Sequence, residues 1–283
     1  MQGLPSDLAQ QVAAALREDI GSGDVTAQLV PAGQRVHGDV ITRQEAIVCG
    51  QPWVDETFRQ LDPDTRVAWR VADGDRIASG QVLFEVTGLA RPVLTAERTA
   101  LNFLQLLSAT ATRARRFVDA VDGTGCVILD TRKTLPGLRS AQKYAVRCGG
   151  AHNHRIGLYD QVLIKENHIA AAGSLSAAIA AGRRTASGLK IEVEVESLAE
   201  FDEALAAGPD IVMLDDFSPA DMRAAVERNR SRERPVKLEA SGSVSLDTVR
   251  SIAQTGVDYI SVGELTKHVR AVDLSMRLEF AAS

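Results

Sequence analysis

Short runs of aliphatic and β-branched residues alternate with alanine-rich runs from about Val127 to the end of the chain. The apolar runs lie at residues 126–129, 161–164, 190–195, 211–214, 236–238 and 259–262. Their starts are separated by roughly 20 to 35 residues, which is the room that a crossover helix needs. The pattern therefore predicts repeated βα units that build a parallel sheet, either as a barrel or as an open doubly wound sheet.

The first 110 residues have a different pattern. Polar and apolar residues alternate at 35–41 and 81–86, which predicts antiparallel strands. A long helix is predicted at about 94–121, because apolar residues recur on one broad face of this segment. We therefore expect a separate N-terminal α/β domain that is joined to the second half through this helix.

Composition limits where a charged site can lie. With 283 residues and 45% hydrophobic residues the chain can bury a large core, and its net charge of -5 gives no general attraction to nucleic acid or to an anionic membrane. Cys49, Cys126 and Cys148 lie far apart without a C-x-x-C pair, which favours a reducing compartment over a disulfide framework or a zinc site. We expect a cytoplasmic protein without signal peptide or membrane span.

Polar residues follow every predicted strand of the second half. In parallel α/β proteins, ligands bind at the carboxyl ends of the strands, where the crossover loops meet. Burial of Lys165, Glu194 or Asp215 without a partner would cost several kilocalories per mole, so a shared ligand or metal is favoured over solvated strand ends. The residues at this rim include Thr131, Arg132, Lys133, Lys165, Glu194, Asp215, Glu239, Ser241, Gly242, Ser243, Gly263 and Glu264.

Between the first two predicted strands, two glycines precede His152-Asn153-His154-Arg155. An arginine fork matches a carboxylate or a phosphate, and a histidine adds a second contact. The His-x-His spacing leaves a metal site as an alternative. Arg98, near the predicted long helix's start, has the pattern of a solvated residue. Motifs typical of P-loop nucleotide binding and of zinc proteases are absent from the sequence.

Several short stretches, in this order along the chain, resemble those of the quinolinate phosphoribosyltransferase family. Thr131-Arg132-Lys133-Thr134 and Asn153-His154-Arg155 are together highly specific for it. The full set lies at residues 18–19, 23–26, 97–102, 130–139, 143–146, 153–155, 164–168, 192–196, 214–215 and 256–258. The resemblance spans nearly the whole chain.

The resemblance implies an α/β fold with an N-terminal α/β sandwich domain and a C-terminal seven-stranded parallel α/β barrel. We expect the first domain at residues 1–112 and the barrel at 113–270, with a helix at about 270–283 that packs back on the first domain. The family resemblance also implies a homodimer. The implied reaction joins quinolinate to phosphoribosyl pyrophosphate with Mg²⁺, and gives nicotinate mononucleotide, pyrophosphate and carbon dioxide in NAD synthesis.

The same resemblance implies roles for individual residues. Arg132, His154, Arg155 and Lys165 hold the quinolinate carboxylates, and Arg98 enters from the neighbouring subunit. Lys133, Lys165, Glu194 and Asp215 are the expected catalytic residues. The expected contacts to phosphoribosyl pyrophosphate come from Lys133, Glu194, Asp215, Ser241, Gly242, Ser243, Val262, Gly263 and Glu264, with the two carboxylates acting through ribose hydroxyls and Mg²⁺. Thr131 is a further expected substrate-binding residue.

The chain departs from the family pattern at one place. Lys267 stands where a phosphate-contacting histidine is expected, which leaves the roles of Lys267 and His268 open. Two other functions compete with the main hypothesis. A Schiff-base aldolase would use Lys165 as its amine, but so many arginines serve no aldol step. A non-catalytic relative, such as the family found alongside molybdate transporters, would not need the intact Thr-Arg-Lys and Asn-His-Arg motifs.

Overall fold

The structure of the protein is a computed structural model, and it describes residues 3–281. Its helices are α1 (Leu8–Ile20), α2 (Gln51–Leu61), α3 (Ala90–Ala120), α4 (Arg139–Cys148), α5 (Glu166–Ala172), α6 (Leu175–Thr185), α7 (Leu198–Ala207), α8 (Pro219–Arg230), α9 (Val249–Ala253) and α10 (Glu264–Lys267). Its strands are β1 (Arg35–Thr42), β2 (Ala46–Ile47), β3 (Arg66–Trp69), β4 (Arg76–Ile77), β5 (Val82–Leu89), β6 (Val127–Leu129), β7 (Val162–Ile164), β8 (Ile191–Val195), β9 (Ile211–Asp215), β10 (Lys237–Ser241), β11 (Tyr259–Ser261) and β12 (Leu274–Phe280).

The chain forms two compact units, and neither is continuous in sequence. The first unit contains the residues up to Arg115, the segment Thr134–Gly150 and the residues from Leu265 onward. The second unit, called the barrel unit below, contains Arg116–Lys133 and Ala151–Glu264. The polypeptide therefore passes between the two units several times.

The first unit is built on an antiparallel sheet with the strand order β12-β1-β5-β3. Buried and exposed positions alternate along β1, as the sequence pattern predicts, because successive side chains of a strand point to opposite faces. Val36, Val40 and Val86 lie in the buried core against this sheet, together with Leu101 and Leu104 of α3. The predicted antiparallel strands and the long helix are thus confirmed.

The predicted C-terminal helix is wrong. Residues 274–280 form strand β12, which pairs with β1 from Val36↔Phe280 to Thr42↔Leu274; residues 282–283 lie outside the described residues. The reason is visible in the sequence, because Leu274, Met276 and Leu278 alternate with polar residues at the period of a strand. These three side chains pack on the core of the first unit.

The barrel unit is built on a parallel sheet with the strand order β6-β11-β10-β9-β8-β7. All six strands predicted from the sequence are present, with ends that differ by a few residues. A further parallel bridge joins Leu129 to His152. Ser197 and Ser218 cap α7 and α8 by accepting the backbone N–H groups of Glu200 and Asp221.

The buried strand residues of this unit are mostly aliphatic, as expected for a parallel sheet covered on both faces. This architecture confirms the α/β fold class and brings the carboxyl ends of the parallel strands to one rim. Within residues 3–281, no helix combines the length and the apolar character that a membrane crossing requires.

Candidate active site

A pocket of about 280 Å³ lies at the carboxyl ends of the parallel strands of the barrel unit. The predicted site residues that line it are Thr131, Arg132, Lys133, His154, Arg155, Lys165, Glu194, Asp215 and Ser241. They come from six separate parts of the sequence, and the parallel sheet brings them together because each stands at or after a strand end. The predicted rim is therefore a concave site with charged walls.

Some predicted residues are not among those that line the pocket: Arg98, Gly242, Ser243, Val262, Gly263 and Glu264. Four further residues also line it: Glu239, which the sequence places at the rim without a role, and Leu163, Met213 and Ser261, which the sequence does not single out. Each lies two positions before a predicted rim residue, and residues two apart in a strand point to the same face of the sheet. Counting back by two from Lys165, Asp215, Ser241 and Gly263 would have found them.

Arg132 and Arg155 place two guanidinium groups at this pocket. The buried Nε of Arg132 has no hydrogen-bond partner among the residues that the structure describes. Burial lowers the pKa of Arg155, and the positive charge of Arg132 lowers it further. Two like charges held together in a partly buried site favour a bound anion, because an anion would relieve both the desolvation and the repulsion.

Lys165 forms an ion pair with Glu194 across neighbouring strands. The backbone of Lys165 caps α5, and its N–H group donates to Nδ1 of His168 at 3.0 Å. This cap fixes the point from which the lysine side chain extends. The side chain of Glu194 is 9% exposed whereas that of Lys165 is 42% exposed, so the lysine ammonium remains accessible to a ligand.

Gly263 leaves space for Lys133. A Cβ atom at position 263 would lie 3.0 Å from Cδ of Lys133, which is closer than ordinary packing allows. The N–H group of Lys133 donates to Oγ1 of Thr131 at 3.1 Å and holds the turn after β6. Gly263 therefore acts by its lack of a side chain, which explains why it is not among the residues lining the pocket.

The turn after β10 is similarly close packed. Gly242 has a φ of +92°, and a Cβ atom there would collide with the carboxylate of Asp216. Ser243 follows with a φ of 41°, which is unusual for a residue other than glycine. Strained backbone of this kind clusters at ligand sites, so the turn remains a candidate phosphate contact.

Asp130 organises the loop that carries His154 and Arg155. This fully buried carboxylate accepts the side-chain amide of Asn153 at 2.7 Å and the backbone N–H group of His154 at 2.9 Å. The backbone N–H group of Arg155 donates to Nδ1 of His154 at 2.7 Å. Since Nδ1 accepts, the ring carries its proton on Nε2.

Two buried glutamates face Nε2 of His154. A carboxylate oxygen of Glu192 lies 2.9 Å from this nitrogen, and one of Glu239 lies 3.5 Å from it. Burial raises the pKa of Glu192 to about 7. Burial and the charge of Glu192 raise the pKa of Glu239 to about 8. The three groups could coordinate a metal by position, but a protonated Nε2 is a donor and not a ligand.

Three predicted residues lie elsewhere on the chain. Arg98 is an exposed residue of α3. Lys267 ends α10 and is exposed, as is His268. Their proposed or open roles stay predictions.

A parallel α/β unit with a cationic pocket at its strand ends defines an enzyme that binds a small polyanion. Residues 24–108 match the N-terminal domain of quinolinate phosphoribosyl transferase, and residues 110–277 match its C-terminal domain. The chain belongs to the quinolinate phosphoribosyl transferase family, as its sequence motifs suggest.

Individual relatives are similar over most of their length. A nicotinate-nucleotide pyrophosphorylase (carboxylating) from Mycobacterium leprae (strain TN) is 47% identical over 271 residues, which cover 93% of this chain and 94% of the relative. Quinolinate phosphoribosyltransferase (decarboxylating) 1b from Nicotiana tabacum is 37% identical over 294 residues, covering 96% and 83%. The solved structure of the nicotinate-nucleotide pyrophosphorylase from Francisella tularensis has a TM-score of 0.94 at 46% identity and covers 98% of both chains.

Proposed function

We propose that this chain transfers the phosphoribosyl group of phosphoribosyl pyrophosphate to quinolinate with loss of carbon dioxide. The products are nicotinate mononucleotide, pyrophosphate and carbon dioxide, and the reaction serves NAD synthesis. The enzyme is thus a decarboxylating quinolinate phosphoribosyltransferase, a pentosyltransferase. The observation that carries this function is the pair Arg132 and Arg155 at one pocket, where the buried Nε–H group of Arg132 has no hydrogen-bond partner within residues 3–281.

The cations of the pocket suit two substrates that are both negatively charged. Quinolinate is a dianion, and Arg132, Arg155 and Lys165 surround a space of the right charge for its carboxylates. Lys133 lies at the turn after β6, where it is placed to contact the pyrophosphate. Concentrated positive charge offsets the repulsion between the substrates, which is otherwise worth several kilocalories per mole.

His154 acts in this proposal mainly by holding its neighbours. Both ring nitrogens face groups of the protein, since Nδ1 accepts from the backbone of Arg155 and Nε2 faces Glu192. The ring thereby fixes the start of the Arg155 side chain. Contact between His154 and a quinolinate carboxylate requires Nε2 to exchange Glu192 for the substrate.

The carboxylates stabilise the positive charge that develops on the ribose. Cleavage of the bond between ribose and pyrophosphate gives oxocarbenium character at the anomeric carbon, and Glu194 and Asp215 line the pocket from neighbouring strands. The ring nitrogen of quinolinate, quaternised by this step, then accepts the electron pair left by the departing carboxylate. No protein nucleophile is required.

The donor set also fits a magnesium ion. Mg²⁺ prefers carboxylate oxygens and keeps much of its coordination for water and substrate phosphates. Glu194 and Asp215 supply such oxygens, and we infer that the ion is held mainly through the substrate with these residues nearby. When bound, the ion supplies neutralising charge for the pyrophosphate.

We further propose a homodimer in which Arg98 enters the neighbouring active site. Arg98 is exposed on α3, although the preceding residue Glu97 is half-buried and the following residue Thr99 is buried. An exposed arginine between more buried neighbours is available to a second copy of the chain. The family resemblance suggests this arrangement.

A cytoplasmic location is part of the same proposal. Cys49, Cys126 and Cys148 are free thiols. Free thiols persist in reducing compartments.

The decisive experiment is an assay of the purified chain with each component left out in turn. We expect nicotinate mononucleotide only when quinolinate, phosphoribosyl pyrophosphate and Mg²⁺ are all present. Activity with nicotinate but not with quinolinate would refute the assignment of quinolinate as the substrate. Borohydride trapping of a carbonyl substrate on Lys165 would support the aldolase alternative instead, but the Lys165 ammonium is already paired with Glu194.

A further inference from the structure

Two cysteines that are distant in sequence meet in the first unit. Sγ of Cys49, Sγ of Cys148 and a carboxylate oxygen of Asp73 all lie within 4.8 Å of one another. Cys49 directly precedes Gly50, the N-cap residue of α2, and Cys148 is the last residue of α4. Their separation along the chain hid this pair from the sequence analysis.

Both cysteines are attached to α3 by short contacts. The N–H group of Cys49 donates to Oγ of Ser108 at 3.0 Å, and the same hydroxyl donates back to the carbonyl of Cys49 at 3.2 Å. A Cβ atom at Gly149, next to Cys148, would collide with Ala111, so the end of α4 packs closely on α3. The approach of the two sulfur atoms is therefore fixed by the fold.

The two thiols are chemically unequal. Cys49 is fully buried, and burial raises the pKa of its thiol. Cys148 is half-buried, and the hydrogen bond that the Cys49 thiol donates to its sulfur lowers the pKa of Cys148, with a further contribution from Arg147. A more acidic, less buried thiol beside a fully buried one is the usual arrangement of a reacting and a resolving cysteine.

Asp73 does not turn this group into a metal site. Its Oδ1 accepts the N–H groups of Gly50 at 2.9 Å and Gln51 at 3.1 Å, and so caps α2. Its Oδ2 accepts the hydroxyl of Tyr144 at 2.8 Å. With both oxygens engaged in holding the start of α2, the thiols remain the reactive part of the group.

We propose that Cys49 and Cys148 form a reversible disulfide, with Cys148 as the thiol that meets the oxidant and Cys49 as the thiol that resolves it. The oxidant is a hydroperoxide such as hydrogen peroxide. The Cys148 sulfur attacks one peroxide oxygen, the O–O bond breaks, and the departing hydroxide takes the Cys148 proton to give water and a sulfenic acid.

In the second step, the Cys49 sulfur attacks the Cys148 sulfur, and the S–O bond breaks. The hydroxide that leaves takes the Cys49 proton and gives a second water. Both sulfurs are oxidised and both peroxide oxygens are reduced, so the sum is two thiols and one peroxide giving one disulfide and two waters. Cys49 needs no access to solvent, because the sulfenic acid forms within its reach.

The test treats the reduced, full-length protein with hydrogen peroxide, unfolds it and alkylates the remaining thiols. Of the three cysteines, we expect only Cys126 to be alkylated, and peptide mapping to find Cys49 joined to Cys148 within one chain. Dithiothreitol should restore all three alkylation sites. Cys126 is a suitable internal control, because burial raises its pKa to about 12.

Variants separate the two roles. Cys49→Ser should stop the reaction at a sulfenic acid on Cys148 that dimedone traps, while Cys148→Ser should give neither product. The matched control Cys126→Ser should form the disulfide at an unchanged rate, with circular dichroism showing that each variant is folded.

Three results would overturn the proposal. The first is that all three thiols of the wild type stay alkylatable after peroxide treatment. The second is that the cross-link joins different chains or uses Cys126. The third is that a stoichiometric metal, removable by a chelator, occupies both thiols of the purified protein.

Discussion

Glu192 holds a carboxylate oxygen 2.9 Å from Nε2 of His154, directly beside a pocket whose other groups are mainly cationic. The same carboxylate accepts the side-chain amide of Gln161 at 2.7 Å. Burial raises the pKa of Glu192 to about 7 and that of Glu239 to about 8, so at neutral pH the two carboxyl groups keep at least one proton between them. Glu192 therefore contacts the histidine that orients Arg155, even though Glu192 itself does not line the pocket.

Replacing Glu239 by Gln should weaken the pH dependence of stability. The carboxyl group of Glu239 releases its proton at about 8 in the folded chain, against 4.5 as its ordinary value. Between these pH values the folded state keeps a proton that the unfolded state has lost, so the stabilisation is complete below about 4.5 and disappears towards 8. We expect urea denaturation at pH 5 and pH 8.5 to show a difference in unfolding free energy that is smaller in Glu239→Gln by up to about 4 kcal/mol, which is about 1.4 kcal/mol for each pH unit between 5 and 8.

Glu196 provides the control for this measurement. It follows β8, is exposed and makes no comparable buried contact. Glu196→Gln should leave the difference between the two pH values unchanged within about 0.5 kcal/mol. An equal effect of both substitutions would refute the role assigned to burial of Glu239.

Arg132→Lys should weaken quinolinate binding more than binding of phosphoribosyl pyrophosphate. Lysine keeps the positive charge but loses the planar guanidinium group and its buried Nε–H, which has no hydrogen-bond partner in the described part of the chain. We expect kcat/KM for quinolinate to fall by about 10- to 100-fold, which corresponds to about 1.4–3 kcal/mol. Steady-state kinetics with each substrate varied in turn measures this. An unchanged kcat/KM for quinolinate would refute the proposed contact between Arg132 and a quinolinate carboxylate.

Arg98→Ala and Lys165→Ala test the shared active site. Each variant alone should be inactive, since each lacks one cation of every site. A mixture should regain partial activity after subunit exchange, because some mixed dimers contain one site with both cations. The measurement compares the enzymatic activity of the mixture before and after subunit exchange. Mixed dimers that stay inactive, with exchange proven by mass spectrometry, would contradict the crossing of Arg98.

Gly38→Ala tests how closely β1 and β12 pack. A Cβ atom at this position would collide with the side chain of Leu278 and lie 3.1 Å from the carbonyl of Arg277. We expect a loss of about 1–3 kcal/mol in unfolding free energy, measured by urea denaturation. Gly33→Ala, with nothing within 4 Å of the added atom, should change it by less than about 0.5 kcal/mol.

A second variant isolates the contact. In a Leu278→Ala background, Gly38→Ala should cost less than it does alone, because one of the colliding groups is gone. An equal cost in both backgrounds would show that the side chain of Leu278 is not responsible.

The sequence predicted the parallel sheet well because each strand of the barrel unit is a short apolar run that ends in a charged or polar residue. Lys165, Glu194 and Asp215 could be grouped at one rim for this reason alone. The family motifs, and not the local pattern, supplied the role of Arg98, because a charged residue near a helix start has no signal that distinguishes a solvated side chain from one that meets a partner.

Other features depend on which distant segments the fold brings together. Nothing near Glu239 in the sequence indicates that its carboxylate faces His154, and the closeness of Cys49 to Cys148 follows only from the packing of α2 and α4 on α3. Both pairs are long-range contacts between single residues, which periodicity cannot reveal. The C-terminal strand is different, because its alternation of apolar and polar residues is visible in the sequence itself.

The pairing of β12 with β1 also determines when the antiparallel sheet can be completed during synthesis. β1 leaves the ribosome well before its neighbour β12, because most of the described chain lies between the two strands. At translation rates of about 5–20 residues per second, the edge of β1 waits on the order of tens of seconds for its partner. During that time a row of unpaired backbone groups is open to other chains. A nascent chain of this protein is therefore exposed to edge-to-edge aggregation until β12 emerges.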